Sequence, residues 1–246
     1  IAVRNGSFTE PPELNGLSHL YEHMFFKPHQ GELLYQCELA LKYNNSQFYN
    51  QKGCTETLKL RPRLGNVASL DDSEQLDIKN ASTREEVVNY YFTTTSPYLG
   101  AAMRFINDAI RYPTFDKEEL DQEIAVVIGE VDRNESNPFY YLNREINDKL
   151  FYKYPTRKNP LGTRESITSA TVEKMRLIQS RYYVPNNSAL IVTGDADPQE
   201  VFRLAEQIFS GWERRKVEPF NEYPMVEHPP LEKSAGYFVE QPLPNL

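Results

Sequence analysis

Two histidines and a glutamate near the start of the chain have the spacing of a metal site. His19, Glu22 and His23 form the pattern H-x-x-E-H, and the whole chain contains only four histidines. Histidines at i and i+4 lie one helical turn apart, so their ring nitrogens can converge on a tetrahedral Zn²⁺ at about 2.0–2.1 Å. Glu22 would then stand beside the metal, where a carboxylate can accept a proton. The pattern therefore predicts a zinc site on a helix.

A catalytic zinc ion needs three protein ligands and one open position, so a third ligand must come from elsewhere in the chain. Glu123 and Glu130 are seven residues apart and share one stripe of a predicted helix. The i+3 and i+4 positions from Glu123 are valines, so no cation one turn further along that helix neutralises it. Gly129 costs about 1 kcal/mol relative to Ala in a helix, which favours close packing beside Glu130. The pattern alone supports a ligand and a solvated helix glutamate equally at position 130.

The helix that carries the first motif is predicted by its apolar spacing after Pro11 and Pro12. The apolar positions, which recur at i, i+3, i+4 and i+7, are Leu17, Leu20, Tyr21 and Met24. At about 100° per residue, a second set falls on the opposite side. That set is His19, Glu22, His23 and Phe26. One face is therefore expected to pack and the other to present the imidazoles.

The remaining elements follow from periodicity and from turn residues. Strands are predicted at 87–95, at 188–193 and within 1–8, where the strand runs into a turn that contains Asn5 and Gly6. Helices are predicted at 33–41, 97–111, 117–133, 138–151, 171–183 and 197–212. Asp116 is a predicted N-cap, and residues 28–79 resemble an irregular insertion. This order of strands and helices predicts an α+β layer sandwich.

Composition limits the classes of function. The chain has 246 residues and a formal charge of −8, which argues against sequence-independent binding to nucleic acid or to anionic membranes. No apolar run approaches the roughly 18 residues that a membrane span requires. The chain opens at Ile1, so we expect any targeting segment to have been removed or to lie outside it. Cys37 and Cys54 match no metal spacing, and a disulfide and two free thiols are both open.

The motif resembles that of the pitrilysin/insulinase family of zinc metalloproteases, whose mark is the inverted H-x-x-E-H. Four segments resemble successive family segments in the right order, and the resemblance covers most of residues 1–215. They are GLSHLYEHMFFK (16–27), NASTREEVVNYYF (80–92), YPTFDKEELDQEIAVVIGEVDRNESNP (112–138) and RYYVPNNSALIVTGDADPQEV (181–201). The resemblance implies a two-layer sandwich in which helices cover a mostly antiparallel, mixed β-sheet, as in mitochondrial processing peptidase.

The resemblance also implies roles for the candidate residues around one Zn²⁺. His19, His23 and Glu130 match the zinc ligands. Glu22 matches the general base that takes a proton from zinc-bound water. Glu123 matches an acid that supports the site without binding the metal. The implied activity is that of a zinc-dependent endopeptidase.

Three further residues match positions that bind substrate in the family. Asn80 and Ala81 match the edge strand to which an extended or unfolded peptide is added as a β-strand. Phe26 resembles a wall of the pocket near the cleaved bond, and core packing is an equally supported interpretation. Such binding reads extended backbone more than sequence.

The chain departs from the family pattern in three respects. The separation between His23 and Glu130 is longer than usual, and the excess lies in 28–79. Lys27, Pro28 and His29 replace the Gly-Thr that commonly follows the first helix. Members of this type also carry a second homologous half that helps bind substrate, and this chain ends near where that half would begin. We therefore expect a zinc metallopeptidase domain at 1–216 and, at 217–246, a linker and the start of a second half.

Two other functions stay open. The chain could be a non-cleaving peptide-binding or assembly subunit of a two-subunit peptidase, although such partners commonly lose ligands. A weaker alternative is a zinc hydrolase that does not act on peptides. The compartment is undetermined, and in a bacterium we expect a soluble protein of the periplasm or the cytoplasm.

Overall fold

The computed structural model describes residues 1–27, 29, 77–225, 227–238 and 240. The predicted helix at 33–41, both cysteines and most of the predicted insertion at 28–79 lie outside the described residues. Across the described ranges, every helix is too short or too polar to span a bilayer.

A four-stranded antiparallel sheet forms one layer of the described fold. Its strands are β1 (Ala2–Val3), β2 (Asp77–Thr83), β3 (Val88–Thr93) and β4 (Ser188–Ala189). Their order across the sheet is β2, β3, β1, β4, and each described pair is antiparallel. β2 therefore has β3 as its one strand neighbour among the described residues, and no described strand pairs with its other side, which is called the open edge below. The predicted α+β class is confirmed.

Helices form the second layer, and the sequence predicted most of them. They are α1 (Leu17–Phe25), α2 (Leu99–Arg111), α3 (Lys117–Glu135), α4 (Pro138–Leu150), α5 (Arg164–Thr168), α6 (Val172–Tyr182), α7 (Pro198–Phe209) and α8 (Pro219–Glu222). Asp116 caps α3 as predicted, because its carboxylate accepts hydrogen bonds from the backbone N–H groups of Glu118 and Glu119 at 2.9 and 3.2 Å. α8 lies inside the predicted linker, and its Phe220 packs against the core. The division into two domains stays a prediction.

The core fixes α1 between the sheet and the other helices. Its predicted apolar face is buried, and Tyr21 stacks on Tyr183 of the segment after α6 at 3.9 Å between ring centroids. Phe25 stacks on Tyr90 of β3 at 4.1 Å. His19, Glu22, His23 and Phe26 on the opposite face stay partly exposed. The predicted division of α1 into a packed face and a face that presents imidazoles is confirmed.

A buried carboxylate fixes the first turn of α1. Glu10 accepts a hydrogen bond from Gly16 N at 2.8 Å and one from Ser18 N at 2.6 Å. These are backbone groups that have no partner inside a helix at its N-terminus. Gly16 has φ +84°, and an added Cβ would lie 2.6 Å from the Cα of Gly162. Only glycine fits this turn. The turn fixes where α1 begins and therefore where its histidines lie.

One predicted strand is shorter in the structure than expected, and another strand was missed. The strand predicted at 188–193 is paired only at Ser188–Ala189, because β1, its described neighbour, pairs over just two residues. β2 was missed by periodicity and was expected only through the resemblance at Asn80 and Ala81. Its sequence, DIKNAST, is polar and lacks the apolar alternation by which half-buried strands are found.

Candidate metal centre

Helices α1 and α3 bring three predicted zinc ligands together. One ligand atom from each of His19, His23 and Glu130 lies within 4.8 Å of the others. The Nε2 atom of His19 is 3.5 Å from one carboxylate oxygen of Glu130, and that of His23 is 3.9 Å from the other. These three form the one such cluster of His, Cys, Asp and Glu found in the described residues.

The donor set fits a zinc ion. Ligand atoms at about 2.0–2.1 Å from a tetrahedral centre lie roughly 3.3 Å from one another, close to the nitrogen–oxygen distances in the cluster. Two imidazoles and one carboxylate also form a known set for catalytic zinc, which leaves a fourth position open. All three side chains are partly exposed, so solvent can reach the cluster.

His19 is held in the neutral form that a metal ligand requires. Burial, followed by the nearby His23, lowers the pKa of His19 to about 4. At neutral pH its ring therefore keeps a free lone pair. The Nδ1 atom of His19 is buried and has no hydrogen-bond partner among the described residues.

His23 is oriented by Glu123, and Glu123 in turn contacts Lys27. The Nδ1 atom of His23 lies 2.9 Å from a Glu123 oxygen, and Lys27 Nζ lies 2.6 Å from the other oxygen. Burial raises the pKa of Glu123, but the hydrogen bonds from His23 and Lys27 outweigh it and lower that pKa overall. The ionised carboxylate can only accept, so His23 donates from Nδ1 and its Nε2 faces Glu130.

Glu22 stands beside the cluster and is bound by the edge strand. Thr83, the last residue of β2, donates a hydrogen bond from its hydroxyl to Oε2 of Glu22 at 2.5 Å. Burial raises the pKa of Glu22, although the Thr83 hydrogen bond and His23 oppose the rise. A raised pKa makes a carboxylate a better proton acceptor near neutral pH.

Asn80 and Ala81 lie on the open edge of the sheet. Ala81 pairs with Tyr90, whose backbone N–H and C=O bond to Ile1 of the segment that leads into β1 at 2.9 and 2.7 Å. Because the groups of Tyr90 are used on that side, Ala81 directs its own N–H and C=O to the open edge. The side chain of Asn80 accepts the Ala81 N–H at 2.8 Å. Among the described residues, no strand lies beside these groups of Ala81.

Expectations for two further residues near the cluster, Phe26 and Gly129, have different outcomes. Phe26 is half-buried against the core and makes edge contacts with Phe25 and Phe92, and its predicted role as a pocket wall stays a prediction. The expectation of close packing beside Gly129 is wrong, because no described heavy atom lies within 4 Å of an added Cβ there. The helix accommodates Gly129 at an exposed position.

Sequence reasoning missed Lys27 and Thr83. Lys27 follows His23 by four residues, just after the end of α1, and so lies on the same side as His23. That spacing could have indicated a cation near Glu123. No sequence pattern links Thr83 to Glu22, because that contact depends on how β2 packs on α1. The other histidines, His29 and His228, lie apart from the cluster and pack against aromatic rings.

Comparison with protein families gives two matches. Residues 1–164 match the family described as Insulinase (Peptidase family M16). Residues 169–245 match the family described as Peptidase M16 inactive domain. The cluster of His19, His23 and Glu130 lies within the first match.

Individual relatives carry corresponding names. The chain is 24% identical over 213 residues to the uncharacterized zinc protease YmxG of Bacillus subtilis, covering 87% of this chain and 44% of the relative. It is 28% identical over 234 residues to the insulin-degrading enzyme of Homo sapiens, covering 92% of this chain and 20% of that enzyme. The chain thus spans less than half the length of these relatives.

Solved structures share the fold. A protease from Helicobacter pylori superposes with a TM-score of 0.69 at 20% identity, over 89% of this chain and 46% of that chain. Pitrilysin superposes with a TM-score of 0.67 at 17% identity, over 94% of this chain and 21% of that chain. At these identities the likeness concerns the fold alone.

Proposed function

Because the chain belongs to the insulinase family of peptidases (peptidase family M16), we propose that it is the zinc-binding part of an endopeptidase that hydrolyses extended or unfolded peptides. The observation that carries this proposal is the meeting of His19, His23 and Glu130, with Glu22 beside them. The names of zinc proteases among its relatives support it.

In this proposal His19, His23 and Glu130 hold a single Zn²⁺. The ion, when bound, supplies a Lewis acid that polarises the scissile carbonyl and makes a water molecule acidic near neutral pH. The lowered pKa of His19 keeps its ring neutral, and the Nδ1–H bond from His23 to Glu123 directs the Nε2 atom of His23 towards Glu130.

Glu22 acts as the general base. Its partly buried carboxylate has a raised pKa, so it can take a proton from the attacking water and later give one to the leaving amine. Hydrolysis of this kind needs no covalent intermediate with the protein. Thr83 occupies one of the two Glu22 oxygens, which leaves the other for the water.

The substrate binds as an added strand along β2. The outward N–H and C=O of Ala81 bond to the peptide backbone, and the Asn80 amide, which now accepts the Ala81 N–H, contacts the same chain. Phe26 forms part of the wall near the cleaved bond. Recognition through main-chain groups favours extended or unfolded peptides over folded proteins.

Glu123 supports zinc binding without touching the ion. We expect Glu123→Gln to weaken zinc affinity by about 10–100-fold, because the ring of His23 loses its anionic acceptor. Glu119→Gln is the matched control, since Glu119 contacts Lys27 at 3.4 Å from the same helix but has no bond to His23. Competition with a fluorescent zinc chelator measures both affinities. An equal effect of the two substitutions would show that zinc affinity depends on the negative charge near Lys27 and not on the bond to His23.

The test of the proposed function combines metal analysis with a peptidase assay. Zinc content should be one ion per chain, and an internally quenched, unstructured peptide should be cut by the zinc-loaded protein and not after chelation. Both measurements are made on this chain and on the full gene product. Absence of zinc from both would overturn the proposal.

A peptide-binding subunit that does not cut is the second candidate. Two observations favour it. Residues 169–245 match the family described as Peptidase M16 inactive domain, and this chain spans less than half the length of a relative named as a zinc protease. We expect a second homologous half, in the same polypeptide or in a partner subunit, to complete the substrate chamber. Zinc binding with peptide binding but no cleavage, in this chain and in the full product alike, would favour this candidate.

A further inference from the structure

Thr83 joins the substrate edge strand to the residue proposed as base. Along β2, alternate side chains point to the same face, so Ala81 and Thr83 both face α1, where Ala81 packs against the core. The Thr83 hydroxyl donates to Oε2 of Glu22, and no described residue donates to Oε1. Thr83 thereby distinguishes the two oxygens of one carboxylate.

Thr83 lies in the hairpin of β2 and β3, which is bonded to neighbouring segments. It pairs with Val88, which is fully buried, and Arg84 N bonds to Val87 O at 2.9 Å across the turn. Residues outside the hairpin also bond to its turn: Phe8 N donates to Glu85 O at 2.8 Å, and Lys158 contacts the Glu85 carboxylate at 2.5 Å. These bonds restrict where the Thr83 hydroxyl can lie, whereas a glutamate side chain alone samples several rotamers.

We propose that Thr83 is a positioning residue that fixes the Glu22 carboxylate in the orientation in which its free oxygen accepts the proton. The inference rests on the proposed role of Glu22 as base. Because Ala81 and Thr83 are two residues apart on one strand, the strand that takes the substrate backbone also fixes the base. The alternative is that the Thr83 hydroxyl only stabilises the contact between β2 and α1.

Two substitutions separate these roles. Thr83→Val keeps the shape and β-branching of the side chain and removes the donor, and Thr83→Ser keeps the donor. We expect Thr83→Val to lower kcat by about 10–100-fold, because that is the factor to which the free energy of one hydrogen bond to a charged group corresponds. KM and zinc content should stay within twofold of the wild type, and Thr83→Ser should restore kcat to within about threefold. A purely structural role predicts lower resistance to urea in Thr83→Val with kcat unchanged.

Two further measurements keep the result independent of overall activity. Crystal structures should show one rotamer of Glu22 in the wild type and in Thr83→Ser, and several in Thr83→Val. In a Glu22→Gln background, Thr83→Val should have no additional effect on the residual rate, since Thr83 acts through Glu22. If Glu22→Gln is inactive while Thr83→Val has wild-type kcat and a single Glu22 rotamer, the positioning role is wrong and the proposed function stands. If Glu22→Gln is fully active, the proposed function itself fails.

Discussion

Replacing Glu22 by Gln should lower peptide hydrolysis by roughly 10²–10⁴-fold while zinc stays bound. The amide keeps the size of the side chain and can still accept from Thr83, but it cannot take up a proton. Glu22 is outside the proposed ligand set of His19, His23 and Glu130, so the affinity for zinc should change little. Initial rates on a quenched extended peptide, together with zinc content by mass spectrometry, measure the two effects separately.

Glu13→Gln is the matched control for this substitution. Glu13 is an exposed glutamate just before α1, and its substitution removes the same charge without touching the cluster. We expect the control to retain wild-type activity. A Glu22→Gln protein that keeps more than a tenth of the activity would remove Glu22 from the role of base and would move the proposal towards another proton acceptor.

The local geometry of the site could be predicted from the sequence. The spacing of Leu17, Leu20 and Tyr21 indicated which face of α1 packs, and the histidines on the other face are where that pattern requires. The seven-residue separation of Glu123 and Glu130 likewise put both on one stripe of α3. These predictions succeed because each depends on the periodicity of a single helix.

Contacts between elements could not be predicted in the same way. The approach of Glu130 to His19 requires α3 to cross α1 at one register, which no local pattern encodes, and only the family resemblance indicated it. β2 escaped detection because an open edge strand tolerates polar residues on both faces, so that DIKNAST has no apolar alternation. The contact between Thr83 and Glu22 combines both difficulties, since it joins an undetected strand to a detected helix.

Loss of any one proposed ligand should remove zinc. We expect His19→Ala, His23→Ala and Glu130→Gln each to weaken zinc affinity by more than about 100-fold, beyond the range for a residue that only supports a ligand. Two remaining ligands are fewer than the three that catalytic zinc sites use. His228→Ala is the matched control, because His228 accepts a hydrogen bond from Lys153 N at 3.3 Å and lies outside the cluster.

Thermal unfolding gives a second measurement of the loss of zinc binding, because an ion that binds only the native state raises the Tm of the protein. The wild type and His228→Ala should gain stability when zinc is added, and the three ligand variants should gain none at the same zinc concentration. Glu130 is the most informative of the three, since it alone comes from α3 and its contribution depends on how α3 packs against α1. A Glu130→Gln protein with wild-type zinc affinity would show that another residue is the third ligand. The proposed hydrolysis would then not depend on the packing of α3 against α1.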